Sequence, residues 1–154
     1  MLDELPWPAG LERRWQLVSG AVVNADAERL RRALINVINN ALQAMEEKGG
    51  GDDQCLEITT RTSDGCCEIV VRDNGPGIAE NMIDEIFYPM ITTRADGSGL
   101  GLAITQAVIG HHGGVIECES HPGYTCFSVF LPLEAEEAPT TATTESRNNR
   151  VANR

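Results

Sequence analysis

Hydrophobic residues in the first third of the chain repeat at helical spacing. The repeat begins after Asp26, a residue type that caps helices by accepting backbone N–H groups. The apolar stripe consists of Leu30, Leu34, Val37, Ala41 and Met45. A stripe of this kind lets a helix pack one face on a sheet. Glycines at 49–51 end the repeat, so the sequence predicts an amphipathic helix of about twenty residues.

Shorter apolar runs predict strands on both sides of this helix. The strand-like runs cover residues 15–23, 54–62, 66–73, 114–119 and 125–131. The turn-forming residues at 63–65 join two of these runs into a predicted hairpin. A short polar helix is predicted near 79–87 and a second apolar helix over 100–111. This order predicts a two-layer α/β sandwich, with helices on one face of a mixed sheet.

The chain is long enough for one ordinary domain, since it has 154 residues of which 42% are hydrophobic. We place that domain at 15–133, after a short stub at 1–14 and before a tail at 134–154. The tail lacks apolar residues to bury and is predicted to be disordered. The five cysteines are odd in number and lack zinc-site spacing, which predicts reduced thiols in a cytoplasmic protein.

Negative charge is concentrated between residues 51 and 133. The formal net charge is −11, and residues 51–133 hold 12 acidic residues against 3 basic ones. A surface this acidic repels nucleic-acid phosphates and anionic lipid, so we expect neither nucleic acid nor a membrane as a partner. Any bound phosphate must therefore be held by local devices, such as a metal ion, a helix N-terminus and a few placed bases.

Three polar segments carry candidate chemistry, and the first lies on the long helix. Asn36, Asn40 and Gln43 are separated by four and three residues, so they share one helix face. Carboxamide oxygens are hard ligands that suit Mg²⁺. Taken alone, however, asparagines on a polar helix face most often form ordinary solvated surface.

The second and third segments are rich in glycine. Asp73 follows an apolar strand and can accept a hydrogen bond from an exocyclic amine such as that of adenine, while Gly75 and Gly77 let backbone approach a ring. Gly97 to Gly101 open the second helix, where unpaired N–H groups and the helix dipole favour a polyphosphate. This loop is neither a Walker A loop nor a dinucleotide fingerprint, because it lacks the following Lys-Ser or Lys-Thr pair and the preceding strand.

Together, in this order and spacing, the three segments resemble the ATP-binding domain of the family that unites gyrase, Hsp90, histidine kinases and MutL. The resemblance covers about residues 20–132. The matching motifs are Asn36 to Ala41 (N box), Asp73 to Gly77 (G1 box), Phe87 to Met90 with Thr92 to Arg94 (F box), Gly97 to Gly101 (G2 box) and Gly123 to Thr125. The pieces NNALQAM, DNGPGI, IFYPM and GSGLGLAI are most similar to sensor histidine kinases of the nitrogen-regulation type.

The resemblance implies a role for each matched residue. Asp73 would recognise the adenine amine, with Thr125 assisting through water. Asn36 and Asn40 would hold Mg²⁺, and Arg94, in a short lid at 78–96, would meet the γ-phosphate. Phe87 and Tyr88 would anchor the lid by packing. The full set of implied nucleotide contacts is Asn36, Asn40, Gln43, Asp73, Gly75, Gly77, Ile78, Thr93, Arg94, Gly97, Ser98, Gly99, Leu100, Gly101 and Thr125. Many histidine kinases carry a basic residue where Gln43 stands, so the metal and Arg94 matter more here.

Asn36 favours phosphoryl transfer over ATP hydrolysis. Hydrolytic members of the family carry a glutamate at this position to activate water, and a carboxamide has no comparable basicity. A neutral imidazole needs no such base, because its nitrogen already has a lone pair. Catalysis would rest on Asn36, Asn40 and Arg94 through positioning and charge stabilisation.

The phosphoacceptor is expected outside this chain. Its three histidines, His111, His112 and His121, lie at a predicted helix end and a strand turn rather than in an acceptor hairpin. We therefore expect a separate dimerisation and acceptor domain, a response regulator as the pathway partner, and a monomeric fragment. Two alternatives stay open: an anti-sigma-factor-type serine kinase, which usually has a glutamate where Asn36 stands, and a non-catalytic module that docks a partner when ATP binds.

Overall fold

The computed structural model describes residues 2, 5, 7–17, 20–47, 49, 53–91 and 99–134. These residues form one mixed five-stranded sheet with the strand order β1-β2-β3-β5-β4, accompanied by three helices. The strands are β1 (Glu12–Gln16), β2 (Cys55–Ser63), β3 (Cys66–Asp73), β4 (Val115–His121) and β5 (Tyr124–Pro132). The helices are α1 (Ala27–Glu47), α2 (Glu80–Ile83) and α3 (Gly101–His111). β1 and β2 are parallel and the other neighbours antiparallel, which confirms the predicted α/β sandwich.

Helix α1 forms as the hydrophobic spacing predicts. Asp26 caps it, since its Oδ1 accepts the backbone N–H groups of Glu28 at 3.1 Å and Arg29 at 3.0 Å. The helix ends at Glu47, shortly before Gly49, whose φ is +102°. The buried side chains of the helix are Ala33, Val37, Ile38, Ala41, Leu42 and Met45. They pack with the inner faces of β2, β3 and β5 to form the core.

The predicted hairpins are also present, and β5 lies between β3 and β4 in the sheet. The β2–β3 turn places Asp64 at φ 51° and Gly65 at φ 75°, the positive angles typical of a tight hairpin. Along β5 the buried positions alternate, so that Phe127, Val129 and Leu131 face the helices. The strict alternation fixes the register and therefore which residues face the same side as α1 and α3.

The prediction for the first strand was wrong in position. It was expected at 15–23, but β1 spans Glu12–Gln16 and pairs with β2, with Trp15 opposite Ile58. Two contacts explain the shift: Trp7 packs on Trp15 with ring centroids 5.5 Å apart, and Leu11 is buried in the core. Leu17 and Val22, in contrast, are 54% and 59% exposed, and residues 20–23 form no strand.

The imidazole of His112 ties the end of α3 to the start of α1. The backbone N–H of Asp26 donates to Nε2 of His112 at 2.9 Å, and the other ring nitrogen of His112 lies 2.7 Å from the carbonyl oxygen of Val108. His112 thus joins the end of α3 to the cap of α1, and the start of α3 lies next to the middle of α1 at Asn36.

Other expectations were tested within the described residues. All five cysteines are free, as predicted. None of the helices in the described part of the chain has the length and apolar character that crossing a bilayer requires. The predicted disorder of the tail concerns residues that, beyond Glu134, lie outside the described part of the chain.

The cap at Asp26 predicts a pH-dependent stability. The hydrogen bond from the backbone N–H of Arg29, aided by the positive charge of Arg29, lowers the pKa of Asp26. A group whose pKa is lowered by folding stabilises the fold above its unfolded pKa of about 4 and loses that contribution as the pH falls through the lower folded pKa. We expect Asp26→Asn, which keeps the acceptor oxygen but not the charge, to melt at a lower temperature than wild type at pH 7, and the difference to shrink as the pH falls below about 4.

Thermal unfolding followed by circular dichroism between pH 7 and pH 3 checks this expectation. Asp26→Ala loses the acceptor as well and should melt at a lower temperature than Asp26→Asn at neutral pH. Glu46→Gln, an exposed position near the other end of α1, is the matched control for simple loss of negative charge. An equal gap between wild type and Asp26→Asn at both pH values would contradict this account of the cap.

Candidate nucleotide-binding site

The predicted site residues that the structure describes lie on α1 from its middle onward, around the start of α3, and where the end of β3 lies beside the start of β5. Asp73 is the last residue of β3 and lies directly opposite Thr125 of β5 in the antiparallel register. Both are buried, with 3% and 4% of their surface exposed. On the helix side, Asn36 of α1 lies next to Gly101, the first residue of α3, where a Cβ would lie 2.6 Å from its Oδ1 atom.

Asp73 is held by the loop that follows it. Its Oδ1 accepts the backbone N–H of Gly75 at 2.8 Å, a charge-assisted bond that helps to satisfy the buried carboxylate. A Cβ placed on Gly75 would lie 2.7 Å from that same oxygen and 3.4 Å from Ala44 of α1. Glycine at this position therefore keeps open the space between the carboxylate and α1.

The loop then turns back over the β4–β5 hairpin. Gly77 has a φ of +84°, and a Cβ there would lie 2.3 Å from the carbonyl oxygen of His121. Both the backbone angle and the close approach require glycine. One residue later, the backbone N–H of Ile78 donates to Oγ of Ser120 at 2.8 Å. The loop after β3 is thus fixed to β4 and lies beside Asp73.

Ser120 is a site residue that sequence reasoning missed. Its Oγ also donates to the carbonyl oxygen of Tyr124 at 2.8 Å and lies 3.0 Å from Oγ1 of Thr125. The only signal in the sequence is a small polar residue near the end of a predicted strand, which is too common to single out. The strand register is what places Ser120 opposite Thr125.

The carboxamide of Asn36 joins the two helices. Its Nδ2 donates to Oγ1 of Thr105 at 3.0 Å, and that hydroxyl lies 3.5 Å from the carbonyl oxygen of Ala33. A Cβ on Gly101 would lie 2.6 Å from Oδ1 of Asn36, so glycine lets the start of α3 reach the carboxamide. Thr105, 1% exposed, was also missed; its signal is a polar residue on an otherwise apolar helix.

The other asparagine and the glutamine lie further along the same face of α1. Asn40 is half-buried, and its Nδ2 atom is buried, whereas Gln43 is exposed. This arrangement is consistent with the prediction that Asn36, Asn40 and Gln43 share one helix face. At Asn36 that face borders α3 rather than open solvent.

The base of the predicted lid is fixed on both sides. Gly99 has a φ of +64°, its carbonyl oxygen accepts the N–H of Met90 at 2.9 Å, and a Cβ there would lie 2.6 Å from the backbone of Met90. Phe87 packs edge-on against Phe127 with centroids 6.4 Å apart, as expected of a lid anchor. Tyr88, in contrast, is 61% exposed, which does not support the packing role given to it.

Several predicted site residues cannot be placed. Thr93, Arg94, Gly97 and Ser98 lie outside the described residues, so their roles stay predictions from the sequence. Leu100 is described; it immediately precedes α3 and is 42% exposed.

The thiol beside the carboxylate is not a candidate nucleophile. Burial, followed by the proximity of Cys126 and of the negative charge of Asp73, raises the pKa of Cys118 to about 12. A neutral thiol reacts slowly, because the thiolate is the nucleophile. The site therefore offers a buried carboxylate, two hydroxyls, carboxamides and a helix N-terminus, which suit recognition of a base and a polyphosphate.

Known proteins share both the sequence and the fold. The sensory histidine kinase/phosphatase NtrB of Klebsiella oxytoca is 41% identical over 120 residues, covering 70% of this chain and 33% of that protein. The C4-dicarboxylate transport sensor protein DctB of Rhizobium meliloti (strain 1021) is 42% identical over 103 residues, covering 67% of this chain and 16% of that protein. The chain thus spans a third or less of the length of these curated relatives.

Solved structures match over most of the described domain. The mycobacterial sensor histidine kinase MprB superposes with a TM-score of 0.70 at 28% identity, covering 82% of this chain and 84% of that one. The catalytic domain of histidine kinase ThkA gives 0.69 at 30% identity, covering 80% and 79%. Full-length ShkA in complex with AMPPNP gives 0.69 at 29% identity, covering 84% and 27%.

The family is therefore the one that the motif order predicts. Residues 25–135 match the family described as histidine kinase-, DNA gyrase B-, and HSP90-like ATPase. That range contains α1, the loop after β3, the start of α3 and Thr125, which are the elements of the site. The chain belongs to this ATPase family, and it is homologous to the ATPase catalytic domain of sensor histidine kinases.

Proposed function

We propose that this chain binds ATP with Mg²⁺ and transfers the γ-phosphoryl group to a histidine on a separate dimerisation and acceptor domain. The observation that carries the proposal is that two groups border the same helix: the loop after the buried Asp73–Thr125 pair approaches α1 at Ala44, and Gly101 approaches it at Asn36. The Asp73–Thr125 pair suits the amine of a purine base, and the Asn36–Gly101 pair suits a phosphate chain with its bound metal. We further propose that the acceptor passes the phosphoryl group to a response regulator and that the module works in the cytoplasm as a monomer.

Asp73 would recognise the adenine amine. Its carboxylate is oriented by the N–H of Gly75, and the absence of a side chain at Gly75 leaves the approach from α1 open. A buried carboxylate that accepts an amine N–H forms a charge-assisted bond, which is stronger than a neutral one. Thr125 lies beside it and would assist through a water molecule.

The residues around Asn36 fit a hydrated Mg²⁺ and a phosphate chain. The carboxamide is fixed because its Nδ2 donates to Thr105, and glycine at position 101 brings the positive end of α3 next to it. Asn40 and Asn36 would hold the metal, and backbone groups at Gly99 and Gly101 would face the phosphates. Bound Mg²⁺ would supply positive charge to the phosphates during transfer.

Other contacts follow from the motif positions. Gly77, Ile78, Gln43 and Leu100 would line the nucleotide. Arg94, with Thr93, Gly97 and Ser98, would cover the γ-phosphate from the lid.

Transfer to histidine is favoured over hydrolysis by the chemistry of Asn36. A carboxamide has no useful basicity, and its Nδ2 donates to Thr105, so it cannot take a proton from an attacking water. An imidazole can attack without losing a proton first. The side chains of Asn36, Asn40 and Arg94 would therefore act by orienting the reactants and stabilising charge.

The acceptor would be another domain because the histidines of this chain are placed elsewhere. His112 is engaged with Asp26 and Val108 at the C-terminal end of α3, about 15 Å along the helix from Gly101. His111 lies next to it, with ring centroids 5.7 Å apart. His121 stacks on Tyr124 at 4.6 Å.

We expect Asp73→Asn to weaken ATP binding by about ten- to a hundredfold while the domain still folds, because a charge-assisted bond to the amine is lost. Isothermal titration calorimetry measures the affinity and circular dichroism checks the fold. Asp84→Asn, at an exposed position after α2, is the matched control and should bind like wild type. Unchanged affinity in Asp73→Asn would refute adenine recognition by this carboxylate.

We expect ATP to bind more tightly with Mg²⁺ than in chelator, and Asn40→Ala to lose most of that difference, because the carboxamide oxygen would be a metal ligand. The measurement is the ratio of the two dissociation constants for each variant. Asn39→Ala, the adjacent exposed asparagine of α1, is the control and should keep the wild-type ratio. Equal affinities with and without metal in wild type would count against a magnesium site.

We expect the chain to leave itself unlabelled with γ-labelled ATP and to label a supplied acceptor. A suitable acceptor is the part of the Klebsiella oxytoca NtrB protein outside the matched segment. The product should be acid-labile, as phosphohistidine is. An acid-stable phosphoserine on a partner would favour the serine-kinase alternative. ATP binding without transfer to any acceptor would favour the docking module.

A further inference from the structure

One serine hydroxyl joins three different parts of the chain beside the proposed adenine site. Oγ of Ser120, near the end of β4, contacts the backbone N–H of Ile78 at 2.8 Å and the carbonyl oxygen of Tyr124 at 2.8 Å. Its third contact is Oγ1 of Thr125 at 3.0 Å. These contacts bring together the loop after β3, the β4–β5 turn and the side chain opposite Asp73.

The direction of each of these hydrogen bonds follows from counting protons. A serine hydroxyl has one proton to donate and two lone pairs to accept with. The carbonyl of Tyr124 only accepts, so it takes the proton of Ser120, and the N–H of Ile78 only donates, so it uses one lone pair. The second lone pair remains for Thr125, which must therefore donate its own proton to Ser120.

This arrangement decides what Thr125 can offer a ligand. With its proton directed to Ser120, the oxygen of Thr125 presents only lone pairs on its other side. Asp73, its register partner, is an acceptor too when ionised. Thr125 and Asp73 are 4% and 3% exposed, so together they form a buried surface that accepts hydrogen bonds. Neither of these two side chains has a proton to donate to a ligand.

We propose that Ser120 is a positioning residue for base specificity: by orienting the hydroxyl of Thr125, it makes the site select a 6-amino purine over a 6-oxo purine. The proposal rests on the ATP binding proposed above. At position 6 of the purine ring, adenine presents an N–H donor. Hypoxanthine presents a carbonyl oxygen there, which would face the two acceptors Asp73 and Thr125. Rejection by unmatched polar groups discriminates more strongly than loss of a favourable contact.

A water that bridges Asp73 and Thr125 to the group at position 6 of the base gives the same result. A water that donates one proton to Asp73 and the other to Thr125 has only lone pairs left for the base. It therefore accepts from an amine and has no proton to offer a carbonyl. Without Ser120, the hydroxyl of Thr125 is able to rotate and donate, and a 6-oxo base can then be accommodated.

The test compares the affinities for ATP and for inosine triphosphate, which lacks the 6-amino group and carries the 6-oxo group in its place. Calorimetry on the full chain gives the ratio of the two dissociation constants. We expect wild type to prefer ATP, Ser120→Ala to reduce that preference by about tenfold, and Ser120→Thr, which keeps a hydroxyl, to retain it. Ser128→Ala removes a hydroxyl from β5 away from this contact and should leave the ratio unchanged.

A merely structural role for Ser120 predicts something different. Loss of the partner of the Ile78 N–H would loosen the loop and weaken both nucleotides equally, so that the ratio stays as in wild type. That outcome would overturn the proposal. If Ser120→Ala does not fold, Ser120→Cys serves instead, and its weak donor and acceptor should give an intermediate ratio.

A double-mutant cycle tests whether Ser120 acts through Thr125. Thr125→Val removes the hydroxyl, so adding Ser120→Ala to it should change the ratio no further. If Ser120→Ala changes the ratio as much in the Thr125→Val background as it does in wild type, Ser120 acts by a route other than Thr125. A wild-type chain that binds no ATP would refute the proposed function itself, whereas ATP binding with an unaltered ratio in Ser120→Ala would refute only this inference.

Discussion

A carboxylate buried at the end of a central strand constrains the surrounding structure. Asp73 is 3% exposed, and a buried charge is costly unless it is hydrogen-bonded. The N–H of Gly75 meets part of this need, which forces the chain to turn immediately after β3. The turn then requires glycine at Gly77, where the backbone passes against His121, and it ends with Ile78 fixed to Ser120. The loop that would surround a base is thus a consequence of satisfying one carboxylate.

Polar contacts of different kinds hold the two helices together at two separate points. Near the cap of α1 the imidazole of His112 accepts the backbone N–H of Asp26, and near the middle of both helices the carboxamide of Asn36 donates to Thr105. Apolar packing between helices fixes their distance but tolerates sliding, whereas directional hydrogen bonds at separated points fix the register along the axis. This register is what brings the N-terminus of α3 to Asn36.

The sequence predicted the parts of this arrangement that depend on local signals. The cap at Asp26, the stripe of α1 and the turn at Asp64-Gly65 each depend on residues a few positions apart, and all three were confirmed. The first strand was misplaced because its position depends on β2 and on Trp7 packing against Trp15. The roles of Ser120 and Thr105 were missed because a single hydroxyl gains a role only through strand register and helix rotation.

The distribution of charge explains why so much of the proposed phosphate site is made of neutral groups. Residues 51–133 contain three bases, and two of them are committed to the outer face of the sheet. Arg61 pairs with Glu68, and Arg72 lies 4.8 Å over the ring of Tyr124 and 3.9 Å from Glu57. Successive strand residues point to opposite faces, so Arg72 points away from the side that Asp73 faces. In the proposed function, the triphosphate is then held by a helix terminus, carboxamides, an exchangeable metal and one lid arginine. Such a set attracts phosphate most strongly while the metal is present, which suits a module that must give up a phosphoryl group and then release ADP.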